Sequence, residues 1–167
     1  KVKNGSKTLN VAVVGKYFDS GEFVLADSYI SVLEAIKHAA AHQDVKVKLS
    51  YLDSEEYETN PEKLEELKNY HGVLVPGGFG TRGVEGIIAA VTYARENKIP
   101  YFGLCYGMQL LVIEYARSVA GISGATTAEM NAEAEHTVID FMPEQKELMA
   151  KGNYGGSMRL GSYPCKL

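Results

Sequence analysis

Blocks of apolar residues along the chain differ in period, and that difference predicts which blocks are strands and which are helices. Leu9–Gly15 is almost uniformly apolar, which is typical of a central strand in a parallel sheet. Val45–Leu52 alternates apolar with polar residues and predicts a second strand nearer the sheet edge. Further strands are predicted at Gly72–Val75, Ile99–Leu104, Thr137–Met142 and Ser157–Leu160, and helices from Asp27 or Ser28 to about His42, from Val84 to Asn97 and from the turn after Leu104 to Val119.

Strands that alternate with helices of this length predict an α/β fold, with a mostly parallel central sheet and helices on both faces. Lys1–Thr8 is polar and is interpreted as a linker remnant, so that 9–167 forms one domain. The acidic stretch Asp53–Glu66 is interpreted as a solvated surface with a short helix after its Asn-Pro pair. Gly121–Ala134 and Pro143–Gly156 are predicted to be loops.

Cys105 lies between Gly103 and Gly107, where a short apolar run gives way to a helical pattern. A Gly-x-Cys-x-Gly frame at a strand end is typical of a nucleophile elbow, because glycines tolerate the strained backbone that this turn needs. The start of the following helix favours a thiolate, and the Tyr106 N–H points to where an oxyanion would form. A buried structural cysteine is the alternative, but the frame favours a nucleophile.

Gly78–Gly83 matches Gly-x-Gly-x-x-Gly between a predicted strand and a predicted helix, and by itself this pattern would suggest dinucleotide binding. The turn is tightened by Pro76 and Gly77, and it does not lie in the first strand–helix unit. The next strand ends in Cys105, where a dinucleotide site needs an acid. We therefore prefer the hypothesis that the N–H groups of Gly77–Phe79 form the second half of an oxyanion hole facing Cys105.

The 167 residues carry a formal net charge of −4 and include two cysteines. This mild negative charge gives no reason to expect nucleic acid or an anionic membrane surface as a partner. No run approaches the roughly 18–20 apolar residues of a membrane span, and the lysine-rich start has no hydrophobic signal region, so a cytoplasmic location is expected. Cys105 and Cys165 are far apart and do not suggest a disulfide, and no metal site is predicted.

Several segments resemble the class I glutamine amidotransferases, and within that family they look very like the glutaminase domains of the CTP synthases. The strings at 76–83 and 155–161 are specific to that branch, and they read Pro-Gly-Gly-Phe-Gly-Thr-Arg-Gly and Gly-Gly-Ser-Met-Arg-Leu-Gly. The matching segments are Val13–Tyr17, Asp27–His38, Leu74–Gly86, Gly103–Gln109 and Gly155–Gly161. The resemblance covers nearly the whole chain and implies a flavodoxin-like α/β domain of the class I amidotransferase type.

The resemblance implies that Cys105 attacks the side-chain amide of glutamine, which releases ammonia and leaves a glutamyl thioester for water to hydrolyse. Gly78 and Tyr106 would donate the N–H groups of the oxyanion hole. The residues implied to bind glutamine are Gly78, Phe79, Tyr106, Gly107, Met108, Gln109, Glu129 and Arg159. An acid for the substrate ammonium and an arginine for its carboxylate agree with the chemistry of a free amino acid.

In the CTP synthases, the ammonia reaches a separate synthetase domain, which uses ATP and magnesium to aminate UTP to CTP, and GTP stimulates glutamine hydrolysis. The resemblance therefore implies glutamine and a synthetase domain of the same enzyme as partners. It also implies a homotetramer for the full-length enzyme and no cofactor in this domain. The Arg82–Gly86 turn and the Pro143–Gly156 loop match family loops that are tied to control by GTP.

The family's general base is a histidine in a His-x-Glu segment beyond the Met-Arg-Leu-Gly string, and the sequence stops at Leu167 before any such segment. The four histidines match no catalytic position and are expected to be structural: His38, His42, His71 and His136. Tyr106 and Met130 stand where the family usually has leucine and phenylalanine. Two alternatives stay open, a catalytically incomplete module that binds glutamine and a subunit of another class I amidotransferase.

Overall fold

The most apolar strand of the sequence lies in the middle of a parallel sheet. The structure, a computed structural model, describes residues 7–16 and 29–150. The sheet strands are β1 (Lys7–Gly15), β2 (Val45–Asp53), β3 (Gly72–Val75) and β4 (Tyr101–Gly103). Their order is β2-β1-β3-β4, and all neighbouring strands pair in parallel. The predicted parallel sheet is confirmed, with β1 inside it and β2 at an edge of the part that the structure describes.

Helices lie on both faces of this sheet, as predicted. They are α1 (Ile30–His42), α2 (Ser54–Thr59), α3 (Val84–Glu96), α4 (Tyr106–Ser118) and α5 (Pro143–Ala150), with a 3₁₀ helix at Pro61–Asn69 and a small parallel pair, β5 (Thr126–Thr127) and β6 (Thr137–Ile139). Val73 and Val75 of β3 belong to the core that contains α3 and α4, whereas Leu74 lies beside α1 on the opposite face. Within the described ranges, no helix is both long and apolar enough to span a membrane.

The acidic stretch Asp53–Glu66 is not only a solvated surface, and that prediction was wrong. It contains α2 directly after β2, because the Asp53 carboxylate caps the helix by accepting the Glu55 N–H at 2.9 Å. Ser54 and Tyr57 of this helix are buried, and Tyr57 is part of the core. The helix expected after the Asn-Pro pair is present as the 3₁₀ helix.

Two predicted loops contain regular structure. Gly121–Ala134 includes β5, and Pro143–Gly156 begins with α5, so the prediction of continuous loop was wrong in both places. The sequence of α5 has no apolar stripe to mark it, although a proline at its first turn is a common start signal. The first strand begins at Lys7, inside the predicted linker. The predicted cap at Asp27 or Ser28 and the predicted strand Ser157–Leu160 lie outside the described residues.

Two arginines fix α4 against its neighbours. The Arg95 Nε donates to both carboxylate oxygens of the fully buried Glu114, at 3.0 and 3.2 Å, and so joins α3 to α4. The Arg117 Nε donates to the Ala125 carbonyl oxygen at 2.7 Å, while its Nη1 pairs with Glu85 at 2.9 Å. Arg117 therefore holds the residues just before β5 against α4, the helix that begins after Cys105.

Candidate active site

Cys105 lies on a strained turn between β4 and α4. Its backbone has φ 51° and ψ −106°, a conformation that a residue with a side chain seldom adopts. The Leu104 N–H donates to the Val75 carbonyl oxygen at 2.9 Å, and the Gln109 N–H donates to the Cys105 carbonyl oxygen at 3.1 Å. These bonds tie the turn to the end of β3 and to the first turn of α4. The strain is thus held by the surrounding fold, and Cys105 remains exposed at the carboxyl edge of the sheet.

The glycines on both sides of Cys105 are required by close packing. A Cβ atom on Gly103 would lie 2.5 Å from the carbonyl carbon of Gly107, and a Cβ atom on Gly107 would lie 2.3 Å from the Val75 carbonyl oxygen. Both distances are shorter than any side chain tolerates, and backbone atoms cannot move away easily. The Gly-x-Cys-x-Gly frame is therefore the only arrangement that lets this helix start so close to β3.

The glycine turn that follows β3 lies beside Cys105, as the sequence predicts. A Cβ atom on Gly77 would lie 3.6 Å from the Cys105 Cβ, and one on Gly78 would lie 3.6 Å from Cδ1 of Tyr106. Neither the Gly78 N–H nor the Phe79 N–H has a hydrogen-bond acceptor among the residues that the structure describes. This turn therefore offers free backbone donors next to the thiol.

The other end of the same turn is closed to a phosphate. The Glu58 carboxylate accepts the N–H groups of Glu85 and Gly86, at 3.1 and 3.3 Å, and so occupies the start of α3. A Cβ atom on Gly86 would lie only 1.8 Å from the Ser54 carbonyl oxygen, so α2 packs directly on this helix end. A dinucleotide turn needs these amides and this space for a pyrophosphate, and the dinucleotide interpretation therefore fails.

A cavity of about 170 Å³ opens beside the thiol. Its size is below the roughly 300–1,000 Å³ of sites for drug-sized ligands, which suits a small metabolite. The lining residues that the sequence predicted are Gly78, Phe79, Cys105, Tyr106, Gln109 and Glu129. Those that it missed are Thr127, Ala128, Ile139, Asp140 and Phe141. A signal existed for 139–141, which lie toward the carboxyl end of a predicted strand, where parallel sheets place their sites. No such signal existed for Thr127 and Ala128, because the sequence predicts a loop there.

Two predicted glutamine-binding residues lie away from this cavity. Gly107 is buried against β3, and Met108 is 49% exposed on α4. Arg159 lies outside the described residues. The cavity is thus formed by the two strand-end turns, by the start of α4 and by the ends of β5 and β6.

The histidines do not line the cavity. His38 and His42 are exposed on α1, and the Nδ1 atom of His71 accepts the Asn10 N–H at 3.0 Å. The His136 carbonyl oxygen accepts the Thr126 N–H at 3.0 Å, where β6 begins. All four histidines therefore lie outside the cavity lining, and the structural roles expected for them stay a prediction.

Lys16, which the sequence did not single out, contacts the glycine turn from the end of β1. Its side chain is buried, and its Nζ donates to the carbonyl oxygens of Phe79 and Gly80 at 2.7 and 2.8 Å. Burial lowers the pKa of Lys16 below its ordinary value, and the nearby Glu129 carboxylate acts in the opposite direction. The signal available was a lysine directly after a buried central strand.

Comparisons with known proteins identify the family of this chain. The family model described as glutamine amidotransferase class-I matches residues 24–167. A CTP synthase from Caldanaerobacter subterraneus subsp. tengcongensis is 52% identical over 168 residues, covering 100% of this chain and 29% of that protein. One from Carboxydothermus hydrogenoformans is 50% identical over 168 residues, with 100% and 30% covered. The chain therefore spans less than a third of the length of these relatives.

One solved structure is also similar. It is described as the glutaminase domain of Trypanosoma brucei CTPS with bound acivicin. It matches with a TM-score of 0.73 and 42% sequence identity, covering 81% of this chain and 50% of that chain. The likeness in fold and the likeness in sequence thus point in the same direction.

Proposed function

The chain belongs to the class I glutamine amidotransferases, and we propose that it acts as the glutaminase domain of a CTP synthase. In this role it hydrolyses glutamine at Cys105 and supplies ammonia to a synthetase domain of the same enzyme. One observation carries the proposal. An exposed cysteine on a strained elbow lies at the edge of a small cavity, beside a glycine turn whose Gly78 and Phe79 N–H groups have no acceptor within the described part of the chain.

The proposed reaction has two covalent steps at Cys105. The thiolate sulfur attacks the carboxamide carbon of glutamine, and the C–N bond breaks once the nitrogen has gained a proton and leaves as ammonia. Water then attacks the resulting thioester, which gives glutamate and restores the thiol. Negative charge develops on the amide oxygen in both steps, and the N–H groups of Gly78 and Tyr106 would stabilise it.

The start of α4 supports the nucleophile. Cys105 directly precedes the first residue of this helix, where the unsatisfied N–H groups carry a partial positive charge. An oxyanion that forms beside Cys105 is stabilised at such a position. The strained turn also exposes the sulfur toward the cavity instead of packing it in the core.

Recognition of free glutamine needs groups for its ammonium and its carboxylate. Glu129 lines the cavity and would pair with the ammonium, while Gln109 and Phe79 would contact the rest of the substrate. Arg159, outside the described residues, remains our proposal for the carboxylate. The lining is mostly apolar with a few polar groups, which fits an amino acid with an uncharged side chain.

The wider role rests on the relatives. CTP synthases match the whole of this chain at 50% identity or more. We therefore propose that the ammonia is used for the ATP-dependent and magnesium-dependent amination of UTP to CTP, with GTP as activator. A cytoplasmic homotetramer is the corresponding assembly in this proposal.

A second candidate function follows from the histidines. None of the four lines the cavity, so no imidazole is placed to accept a proton from the thiol or from water. This favours a module that binds glutamine without turnover unless a base comes from elsewhere. Ammonia release by the intact protein at the rate of other amidotransferases would exclude that candidate.

The test compares two cysteine variants of the intact protein. Cys105→Ser should lower ammonia release from glutamine by about 10³-fold or more, because it removes the nucleophile. Cys165→Ser replaces the second cysteine of the sequence and is the matched control, which should keep the original rate. Acivicin should label Cys105 covalently in the control and not in Cys105→Ser, with a mass increase equal to the reagent less HCl, because the thiolate sulfur displaces chloride. Unchanged ammonia release by Cys105→Ser would overturn the proposal.

A further inference from the structure

One peptide unit of the glycine turn lies between two opposite charges. The Lys16 ammonium donates to the Phe79 carbonyl oxygen at 2.7 Å, and the Gly80 N–H at the other end of the same peptide donates to the Glu129 carboxylate at 2.7 Å. A peptide dipole has its negative end at the oxygen and its positive end at the N–H. Both contacts therefore favour the same orientation of this peptide, and a flipped peptide would place each end against a like charge.

The turn needs such contacts because it has few of its own. Gly77, Gly78 and Gly80 provide no side chain that could hold the backbone, and Gly80 has φ +77°. Glycine loses more conformational freedom on folding than any other residue, so an unsupported turn of this composition would sample many conformations. Lys16 of β1 and Glu129 after β5 supply support from two separate elements.

The burial of Lys16 indicates that its positive charge has a role other than stabilising the fold. Its side chain is 3% exposed, and burying an ammonium group is costly unless good partners surround it. Replacing buried charges by apolar side chains of similar volume is often neutral or stabilising in proteins. Stability alone would therefore be served as well by methionine, which has nearly the same length.

Tyr106 adds a third contact from the residue next to the nucleophile. Its hydroxyl donates to the Gly80 carbonyl oxygen at 2.7 Å, the same atom that Lys16 contacts at 2.8 Å. The Lys16 Nζ also lies 5.0 Å from the centre of the Tyr106 ring, within the range of a cation–π interaction. The side chain that follows Cys105 thus reaches across to the opposite turn, which a leucine at this position could not do by hydrogen bonding.

We propose that Lys16 and the Tyr106 hydroxyl are positioning residues. Lys16 holds the Phe79–Gly80 peptide, both groups hold the Gly80 carbonyl that follows it, and together they aim the Gly78 N–H, two peptide units earlier in the same turn, at the oxyanion beside Cys105. The inference rests on the proposed function, since it assigns the orientation of a donor in that site. Glu129 links the same peptide to substrate binding, because its carboxylate contacts the Gly80 N–H and lines the cavity.

The test uses variants of the intact protein that separate turnover from binding. Lys16→Met should lower kcat for glutamine hydrolysis at least 10-fold and change KM less than 3-fold, because the oxyanion donor matters most in the transition state. Lys16→Arg should recover part of this loss, and Tyr106→Phe should lower kcat about 3-fold. Lys48→Met, which removes an exposed charge from β2, is the matched control and should leave kcat unchanged.

Two further readouts separate positioning from general damage. Alkylation of Cys105 by iodoacetamide needs no oxyanion hole, so its rate in Lys16→Met should stay within about 2-fold of the original. Amide hydrogen exchange at Gly80 should be at least 10-fold faster in Lys16→Met, while exchange at Leu74 in β3 stays the same.

The outcomes are distinguishable from failure of the proposed function. If the unaltered protein releases no ammonia from glutamine, the proposed function is contradicted. The amide hydrogen exchange rate of Gly80 in Lys16→Met still decides whether Lys16 holds the turn. An unchanged kcat, or unchanged Gly80 exchange, in Lys16→Met would overturn the positioning role. Equal losses of kcat and of alkylation rate would overturn it as well, because they would place the effect on the thiol.

Discussion

The glycine-rich segment that runs from the end of β3 into the first turn of α3 has two halves, 76–80 and 81–86, which have similar composition and opposite surroundings. In the first half, Gly77 and Gly78 approach Cys105 and Tyr106 at ordinary contact distances, and the N–H groups of Gly78 and Phe79 have no acceptor among the described residues. This half faces a cavity. Its backbone groups are therefore available to a ligand.

In the second half, other elements of the fold occupy the backbone N–H groups and the space beside the glycines. A Cβ atom on Gly83 would lie 2.4 Å from the Ser54 Oγ, and the N–H groups of Glu85 and Gly86 are both taken by Glu58. The glycines here make room for α2, not for a ligand. A repeated glycine pattern thus indicates that other atoms approach the backbone closely. Whether those atoms belong to a packed element of the fold or to a ligand depends on the tertiary structure, which the pattern does not give.

The largest expected effect comes from the packing half. Gly86→Ala places a methyl group 1.8 Å from the Ser54 carbonyl oxygen, so α2 and α3 must separate. We expect the free energy of unfolding to fall by about 3 kcal/mol or more, which corresponds to a drop of roughly 6–12 °C in melting temperature. Thermal unfolding followed by circular dichroism measures this, and a shift of less than 2 °C would show that the junction is looser than the structure has it.

The matching change in the first half should affect activity instead. Gly78→Ala places a methyl group 3.6 Å from Tyr106, an ordinary contact, and adds bulk to a residue that lines the cavity. We expect the melting temperature to stay within about 2 °C, and kcat/KM for glutamine to fall about 10-fold, or roughly 1.4 kcal/mol, because the methyl group crowds the reacting amide. If Gly78→Ala were strongly destabilised but fully active per folded molecule, the first half would serve packing and not activity, which contradicts this prediction.

The sequence predicts the parts of this site that are local in the chain. The elbow at Cys105 and its glycines are adjacent residues, and their strand-to-helix context follows from apolar periodicity. The contacts that distinguish the two halves of the glycine segment are not local. Glu58 reaches Gly86 across 28 residues, Glu129 reaches Gly80 across 49, and Lys16 reaches Phe79 across 63. No pattern within one segment specifies such partners, so Lys16 and Glu58 were missed.

Short elements were missed for a different reason. The helix α2 has six residues, which is fewer than two turns, and α5 has eight residues but no apolar stripe. The strand β5 has only two residues. Their positions depend on caps and tertiary contacts, such as the Arg117 bond to the Ala125 carbonyl oxygen that holds the residues before β5.

Removing the Glu58 carboxylate that caps α3 should lower stability moderately and leave activity unchanged. Glu58→Ala leaves the N–H groups of Glu85 and Gly86 without their carboxylate, and we expect a loss of about 1 kcal/mol in the free energy of unfolding. Glu58→Gln is the matched control, since both bonds go to one carboxylate oxygen and the amide oxygen of glutamine can still accept them, and it should lose less than half as much. Urea unfolding measures both, and a change in KM for glutamine in either variant would contradict the division between the halves.

The smallest effect on stability should come from the Lys16 charge, which supports the first half. Burial is the main cause that lowers the pKa of Lys16 below 10.5. Glu129, Glu58 and Glu55 oppose this shift, and Arg82 adds to it. Since the folded protein binds this proton less tightly than the unfolded chain, the charged lysine costs stability below its folded pKa, and the cost fades as the pH rises toward 10.5. Lys16→Met should therefore be as stable as the unaltered protein or slightly more stable near neutral pH, by about 1 kcal/mol at most, and the difference should shrink at alkaline pH.

Deprotonation of Lys16 should lower the rate of catalysis, whereas it raises the stability of the fold. When Lys16 loses its proton, the Phe79 and Gly80 carbonyl oxygens lose their charged donor, so kcat should fall at the alkaline end of the pH profile. Lys16→Arg keeps its charge at every accessible pH, so its alkaline limb should lie at higher pH than that of the unaltered protein. Identical alkaline limbs in the two proteins would mean that the titration of another group causes the fall in kcat. The N–H groups of the glycine turn beside Cys105 would then keep their positions without the charge of Lys16.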